Sequence, residues 1–167
     1  MSDGSPPHIK RAWNNRPFSL FGATVAGIGH LPGGPGTYAA IVTTPILVWM
    51  SHHVDLGWRL AALIVVTLIG CYWSQIAGDE LGEPDSSAIV IDEVAGVWVT
   101  LVAFNNLTWG TALIGLVAFR IFDITKPPPA RAIDDSHGGG IAVMADDVVA
   151  GLWAIPPVLL YLWLFVP

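Results

Sequence analysis

Two pairs of neighbouring acidic residues interrupt apolar stretches of the sequence and are the first candidates for chemistry. Asp92 and Glu93 stand in AIVIDEVAGVWVTLVAF, and Asp146 and Asp147 stand in IAVMADDVVAG. Two adjacent acids in an apolar stretch repel each other and lose hydration, so a divalent cation would stabilise them. Mg²⁺ takes carboxylate oxygens and keeps waters that a phosphate can replace. The two pairs therefore predict a magnesium site.

A third group combines an acid with basic residues. Arg120, Asp123 and Lys126 follow one another at intervals of three, so Arg120 and Asp123 share a helix face, and Pro127 then ends the helix. Lys126 and Arg131 are placed to reach an anionic headgroup, and arginine favours bidentate phosphate contacts. The alternative for Arg120 and Asp123 is a purely structural ion pair.

The turn GGPGT at positions 33–37 precedes another apolar stretch. Its backbone N–H groups would stand at the start of a helix, where the helix dipole also favours an anion. We therefore expect Gly34, Gly36 and Thr37 to contribute to phosphate binding. The nearby His30 is ambiguous between a structural and a functional role, and we favour the structural one.

The composition predicts the solvent around these groups. The chain has 167 residues, of which 53% are hydrophobic and only 12% charged, and it contains eight Trp. A soluble domain of this size cannot bury that much apolar surface, and tryptophan favours the membrane interface. The net charge of −6 argues against nucleic-acid binding, which requires a basic face. We therefore expect an integral membrane protein.

Five apolar stretches predict an all-α, polytopic membrane bundle of four to five spanning helices, because a full span takes about 20 residues and a lone strand cannot satisfy its backbone in lipid. A further stretch, Phe18–Gly29, is rich in glycine and is interpreted as interfacial or re-entrant. The five stretches are Thr37–Met50, Trp58–Ala77, Ala88–Phe104, Trp109–Ile124 and Ile141 to the C-terminus.

The basic residues suggest an orientation. With residues 1–17 as a polar cytoplasmic segment, residues 18–167 form the membrane-embedded domain, and only Arg59 falls in an outer loop. The acids of spans three, four and five then fall at the cytoplasmic ends of their helices. We therefore expect an active site at the cytoplasmic interface, with Asp79, Glu80, Glu83 and Asp85 in a solvated loop.

Four strings, in this order, carry a resemblance to a known family: GIGHLPGGPGTYAA, IVIDEVAGVWVTL, FRIFDITKPPPARAID and GGGIAVMADDVVAG. Together they resemble the phosphatidylglycerophosphatase A family, which consists of small phosphatases of the bacterial inner membrane. The resemblance implies Mg²⁺-dependent removal of the terminal phosphate from phosphatidylglycerophosphate, giving phosphatidylglycerol. It also implies a multi-pass protein of the inner (cytoplasmic) membrane with a cytoplasmic N-terminus.

The resemblance also implies roles for residues by position. The acids would supply metal ligands and a base, and the basic residues and the glycine turn would bind phosphate, with Lys126 also taking part in catalysis. The implied metal ligands are Asp92, Glu93, Asp123, Asp134, Asp146 and Asp147, and the implied substrate contacts are Arg120, Lys126, Arg131, Gly34, Gly36 and Thr37.

Two other function classes were weighed. A CDP-alcohol phosphotransferase also clusters aspartates at the inner face, but its Asp-Gly-x-x-Ala-Arg signature is absent. A cation- or proton-coupled transporter would need acids near the bilayer midplane. The sequence leaves open whether water or an aspartate attacks phosphorus, whether one or two metal ions bind, and which oligomeric state the protein adopts.

Overall fold

The computed structural model describes residues 16–134 and 139–166, apart from the side chain of Asp134. These residues form seven α-helices and a 3₁₀ turn, with no strand in the part described, as the apolar stretches predict. The 3₁₀ turn is Ile28–His30. The α-helices are α1 (Pro17–Ala23), α2 (Pro35–His53), α3 (Leu56–Leu81), α4 (Ile91–Leu101), α5 (Trp109–Thr125), α6 (Ala130–Asp134) and α7 (Gly139–Phe165).

The outward faces of the long helices are apolar. Large hydrophobic side chains are exposed along α2, α3, α5 and α7, among them Trp49, Leu68, Ile124 and Trp163, whose exposed fractions are 57%, 66%, 73% and 79%. Apolar surface of this extent is unfavourable in water and fits a lipid environment. Two helices, α3 and α7, are long and apolar enough to cross a membrane by length and composition. These features indicate a membrane-associated protein.

Helix α4 lies at the centre of the bundle. It packs most extensively against α7 and also contacts α2, α3 and α5. Nine of its 11 residues are buried, and the other two are Asp92 and Glu93. The sequence predicted a longer helix here, but 11 residues rise only about 16 Å, which is shorter than a hydrocarbon core of about 30 Å. Helix α4 is therefore a core element with no face directed to lipid.

The other boundaries follow the apolar stretches closely. Helix α5 matches its predicted span to within one residue, and Lys126 caps its C-terminus in the left-handed conformation ahead of Pro127. Helix α3 extends past the predicted end, so that Asp79 and Glu80 belong to its last turn and not to a loop. The Pro-rich segment after Lys126 includes the start of the short helix α6.

Hydrogen bonds hold the end of the bundle opposite the acids. Arg59 is only 2% exposed, lies in the first turn of α3 and not in a loop, and donates to the carbonyl of Phe104 at 2.7 Å and to Asn105. The backbone N–H of Leu107 donates to Ser51 Oγ at 2.9 Å. The segment between α4 and α5 is thereby attached to α2 and α3, which fixes where α4 ends.

Candidate active site

A pocket of about 270 Å³ lies at one end of the bundle, where the polar interruptions of several helices meet. Its walls come from the N-terminus of α2, the start of α4, the C-terminal end of α5, the second turn of α7 and the segment that precedes α4. Six acidic side chains and two basic side chains line it: Asp85, Asp92, Glu93, Asp123, Asp146, Asp147, Arg120 and Lys126.

Glycines allow the acidic helices to approach each other closely. A Cβ added at Gly96 of α4 would lie 2.9 Å from the carbonyl oxygen of Asp147, and one added at Gly151 of α7 would collide with the carbonyl of Gly96. Each glycine follows an acid by four residues, Asp92 in α4 and Asp147 in α7, so it lies on the same helix face one turn further on. The backbones can therefore approach closely enough to bring both acidic pairs to one pocket.

Both members of each acidic pair reach the pocket. Adjacent residues on a helix point about 100° apart, so the two acids of a pair need not face the same space. In the structure Asp92 and Glu93 both line the cavity, as do Asp146 and Asp147. Asp146 and Asp147 are buried, with exposed fractions of 7% and 3%.

The two basic residues hold three of the carboxylates. Arg120 pairs with Glu93 on α4 and with Asp123 one turn along α5, where its guanidinium Nη1 lies 2.7 Å from Asp123 Oδ2. Lys126 Nζ lies 2.7 Å from Asp146 Oδ2. The ion pair between Arg120 and Asp123, which the sequence left open as an alternative, is therefore present, and Glu93 joins it from a helix distant in sequence.

The N-terminus of α2 forms one side of the pocket. Gly34, Pro35 and Gly36 line it, whereas Thr37 is not among the lining residues. Gly36 is buried, and a Cβ added there would collide with the carboxylate of Glu93. A larger residue at position 36 would therefore have to displace the Glu93 carboxylate, and glycine lets the start of the 19-residue helix lie against it at the pocket.

The lining of the pocket differs from the sequence-based assignment in two ways. One segment that we did not assign to the site lines the pocket, and one basic residue that we assigned to it does not. Asp85, which we assigned to a solvated loop, lines the pocket together with Ser86 and Ser87. Arg131 is exposed on α6 and does not line the pocket. The side chain of Asp134 lies outside the described residues, so its role as a metal ligand stays a prediction.

Two carboxylate oxygens in the pocket lack hydrogen-bond partners within the described part of the chain. They are Asp92 Oδ1 and Asp147 Oδ2, and both are buried. Burying an oxygen of an acid without a partner is costly unless a cation or a donor compensates it. In the described residues, however, no group of three or more His, Cys, Asp or Glu side chains is already arranged as a metal site.

Comparison with known proteins agrees with the motifs. The family model for phosphatidylglycerophosphatase A matches residues 21–162, which is most of the chain and includes the whole pocket. The chain belongs to this family. No solved structure shows significant similarity to it.

Individual members of the phosphatidylglycerophosphatase A family and related proteins show the same likeness. The chain is 37% identical to phosphatidylglycerophosphatase A of Escherichia coli K12 over 75% of this chain and 73% of that protein. It is 33% identical to phosphatidylglycerophosphatase A of Haemophilus influenzae over 93% of both chains. A Bacteroides thetaiotaomicron protein whose name proposes a phosphatidylinositol-3-phosphatase is 35% identical over 77% of this chain and 83% of that protein. The resemblance stated from the four motifs is confirmed.

Proposed function

We propose that this protein hydrolyses the terminal phosphate monoester of phosphatidylglycerophosphate, releasing phosphate and phosphatidylglycerol. Two of its relatives carry the name of this activity, and the family match covers every element that lines the pocket. The observation that carries the proposal is the pocket itself, in which six carboxylates, two basic side chains and a helix N-terminus meet. Phosphate monoesters hydrolyse very slowly unaided, so such charge placement is what a catalyst must supply.

The phosphate would be held by Arg120, Lys126 and the N-terminus of α2. The guanidinium offers a planar set of donors and the ammonium a point charge. The backbone N–H group of Gly36 adds a donor at the positive end of the helix dipole. Since Arg120 and Lys126 now contact carboxylates, phosphate binding requires them to turn at least part of their donors toward the substrate.

The charge balance of the pocket supports a divalent cation, Mg²⁺ in our proposal. Six carboxylates face two basic side chains, so a phosphate dianion would meet a net negative pocket without a further positive charge. The partnerless oxygens of Asp92 and Asp147 are hard donors of the kind Mg²⁺ prefers. These two acids would hold the ion first. Glu93, Asp123, Asp146 and the predicted Asp134 could join them after small side-chain movements.

When bound, the ion would supply positive charge for the phosphoryl oxygens. The chain's own residues would do the rest: Arg120 and Lys126 orient the phosphate, and a carboxylate either takes a proton from the attacking water or attacks phosphorus itself. The second route would leave an aspartyl phosphate, which acid quenching and phosphate labelling would trap. The burial of Asp146 and Asp147 restricts access of bulk water to their carboxylates.

We further propose that α2, α3, α5 and α7 cross the membrane around α4, with the pocket at the cytoplasmic face. Helices α2 and α5, with 19 and 17 residues, are close to the about 20 residues that a span requires. The exposed apolar side chains on all four helices support this arrangement. With the acids at the helix ends, a lipid headgroup could reach the pocket sideways from the inner leaflet. Accessibility labelling of single cysteines at Ser87 and His53 would test the orientation.

The proposed activity is tested by phosphate release from phosphatidylglycerophosphate with detergent-purified protein. Release should require Mg²⁺, stop with excess chelator, and be lost in Asp146→Asn. The matched control is His53→Ala, which changes an exposed residue at the opposite end of α2. If folded protein releases no phosphate with Mg²⁺ present, the proposal is wrong.

The name of the Bacteroides thetaiotaomicron relative refers to a different lipid with a phosphate monoester. Phosphatidylinositol 3-phosphate therefore belongs in the same assay as a competing substrate. A clear preference for it over phosphatidylglycerophosphate would overturn the substrate while leaving the phosphatase chemistry in place.

A further inference from the structure

A second cavity adjoins the acidic pocket. It encloses about 520 Å³ between residues 29–33 and residues 81–88, and we call it the adjoining cavity. Pro35, Ser86 and Ser87 line both spaces, so the two share a wall. Its volume lies within the range of about 300 to 1,000 Å³ that is common for small-molecule sites. The proposed phosphate chemistry does not use His30 or Glu83, which line this cavity and not the acidic pocket.

The adjoining cavity differs from the acidic pocket in charge. It is lined by one carboxylate, Glu83, one imidazole, His30, and the serines of the shared wall. In the described part of the chain no Arg or Lys contributes to it. It therefore lacks the groups that bind a phosphate dianion. Hydroxyl, imidazole and carboxylate groups instead suit a neutral ligand with hydroxyls, which can both donate and accept hydrogen bonds.

Backbone contacts hold the two walls of the adjoining cavity in place. The N–H of Val90 donates to the carbonyl of Ala23 at 2.9 Å, and the N–H of Gly29 donates to the carbonyl of Thr24 at 3.0 Å. A Cβ added at Gly29 would collide with the carbonyl of Ala88, so the two segments touch through their backbones. The cavity is thus formed before any ligand arrives, which lowers the entropic cost of binding.

Exposed apolar residues occur in the lining of the adjoining cavity and in the helix that precedes it in the chain. Leu31 lines it and is 48% exposed, and α1, in the segment just before, exposes Phe18 and Phe21 to 85% and 55%. Exposed aromatic and aliphatic side chains suit contact with the acyl region of a membrane. The adjoining cavity is therefore polar and largely uncharged beside the charged pocket, and Leu31 is an exposed apolar residue in its lining.

In a lipid whose terminal phosphate is carried by a glycerol linker, a hydroxyl group stands directly beside that phosphate, and a phosphodiester then joins the linker to diacylglycerol. We propose that the adjoining cavity is the subsite for that linker, with His30 and Glu83 hydrogen-bonding its hydroxyl group while the phosphate monoester occupies the acidic pocket. This inference rests on the proposed function for its substrate. It gives the protein a means to prefer phosphatidylglycerophosphate over phosphatidate, whose phosphate is attached directly to diacylglycerol.

The test measures binding of two ligands that occupy different halves of the site. Short-chain phosphatidylglycerol carries the linker without the terminal phosphate, and inorganic phosphate carries neither linker nor lipid. Dissociation constants are measured by calorimetry on detergent-solubilised wild type, His30→Ala and Glu83→Gln, with His53→Ala as the control for loss of an exposed histidine. Short-chain phosphatidylcholine, which lacks the hydroxyls, serves as the control lipid.

We expect each subsite variant to bind phosphatidylglycerol about three- to tenfold more weakly, the effect of one lost hydrogen bond. Their affinity for phosphate and for phosphatidylcholine should equal that of wild type. Unchanged phosphatidylglycerol affinity in both variants would overturn the inference. So would a wild-type protein that binds phosphatidylglycerol no better than phosphatidylcholine.

The same proteins separate this inference from the proposed function. If wild type shows the binding pattern above but releases no phosphate from phosphatidylglycerophosphate, the phosphatase proposal fails and the headgroup subsite stands. If wild type hydrolyses the lipid and both variants keep its kcat/KM for phosphatidylglycerophosphate relative to phosphatidate, the phosphatase stands and the subsite is wrong.

Discussion

Replacing Lys126 by alanine separates two roles that the structure combines in one side chain. Lys126 Nζ lies 2.7 Å from Asp146 Oδ2, and the side chains are 28% and 8% exposed. Lys126 would therefore stabilise the fold by compensating a nearly buried carboxylate and serve catalysis by binding phosphate. Lys126→Ala removes both contributions at once.

The loss of folding stability and the loss of catalytic rate can be estimated separately. Removing one partner of a fully buried ion pair costs about 3 to 5 kcal/mol, and partial exposure of Lys126 lowers this to about 1 to 3 kcal/mol. Removing a group that stabilises the transition-state charge lowers kcat by about 10² to 10³. Asp146→Asn, which keeps the shape but removes the charge, should recover most of the lost stability when combined with Lys126→Ala.

The experiment is a double-mutant cycle on Lys126→Ala and Asp146→Asn in detergent. Thermal unfolding measures stability, and phosphate release measures activity. We expect the double variant to unfold near the wild-type temperature and to stay inactive. Activity of Lys126→Ala within about threefold of wild type would refute the phosphate-binding role. A double variant no more stable than Lys126→Ala would refute the charge-compensation argument.

Three further predictions test other parts of the site. Arg120→Lys keeps the charge but loses the planar donor fork, so kcat/KM should fall about tenfold or more; wild-type phosphate release would contradict this. Gly151→Ala places a Cβ against the carbonyl of Gly96, so thermal unfolding should show a loss of about 1 to 3 kcal/mol. Gly57→Ala is its control, because a Cβ there meets nothing within 4 Å, and equal effects of the two would contradict the packing argument. Arg131→Ala, outside the pocket lining, should raise KM and leave kcat unchanged if it contacts the headgroup; a loss of kcat alone would assign it another role.

The hydropathy of the sequence was sufficient to predict an all-helical protein and most helix positions. Helix α5 and most of α7 coincide with their apolar stretches, and the lysine before Pro127 ends α5 as predicted. Helix α4 is the exception. Its apolar side chains are compatible with a full span. However, a helix packed inside a bundle is also apolar on all sides, because its neighbours are apolar as lipid is. Burial alone distinguishes the two, and the sequence does not report it.

The main acids and bases of the site could also be predicted, because charged residues inside apolar stretches are costly and stand out. Asp85, Ser86 and Ser87 could not, since they stand in a polar segment that resembles any solvated loop. Contacts with other parts of the chain bring that segment to the pocket, among them the bond from the N–H of Val90 to the carbonyl of Ala23 and the close approach of Ala88 to Gly29. The wall of the adjoining cavity formed by residues 81–88 has no sequence signal for the same reason.

By itself, the sequence determined which residue types interrupt the apolar helices, at which helix ends they lie, and which family they match. Those properties are local, since they follow from hydropathy and from the helical repeat within one segment. Tertiary structure alone decided that Arg120 pairs with Glu93 as well as with Asp123, and that both acids of each pair face one pocket. The pairing with Glu93 and the meeting of the two acidic pairs join residues distant along the chain, and Gly96 and Gly151 let α4 and α7 approach closely through their backbones.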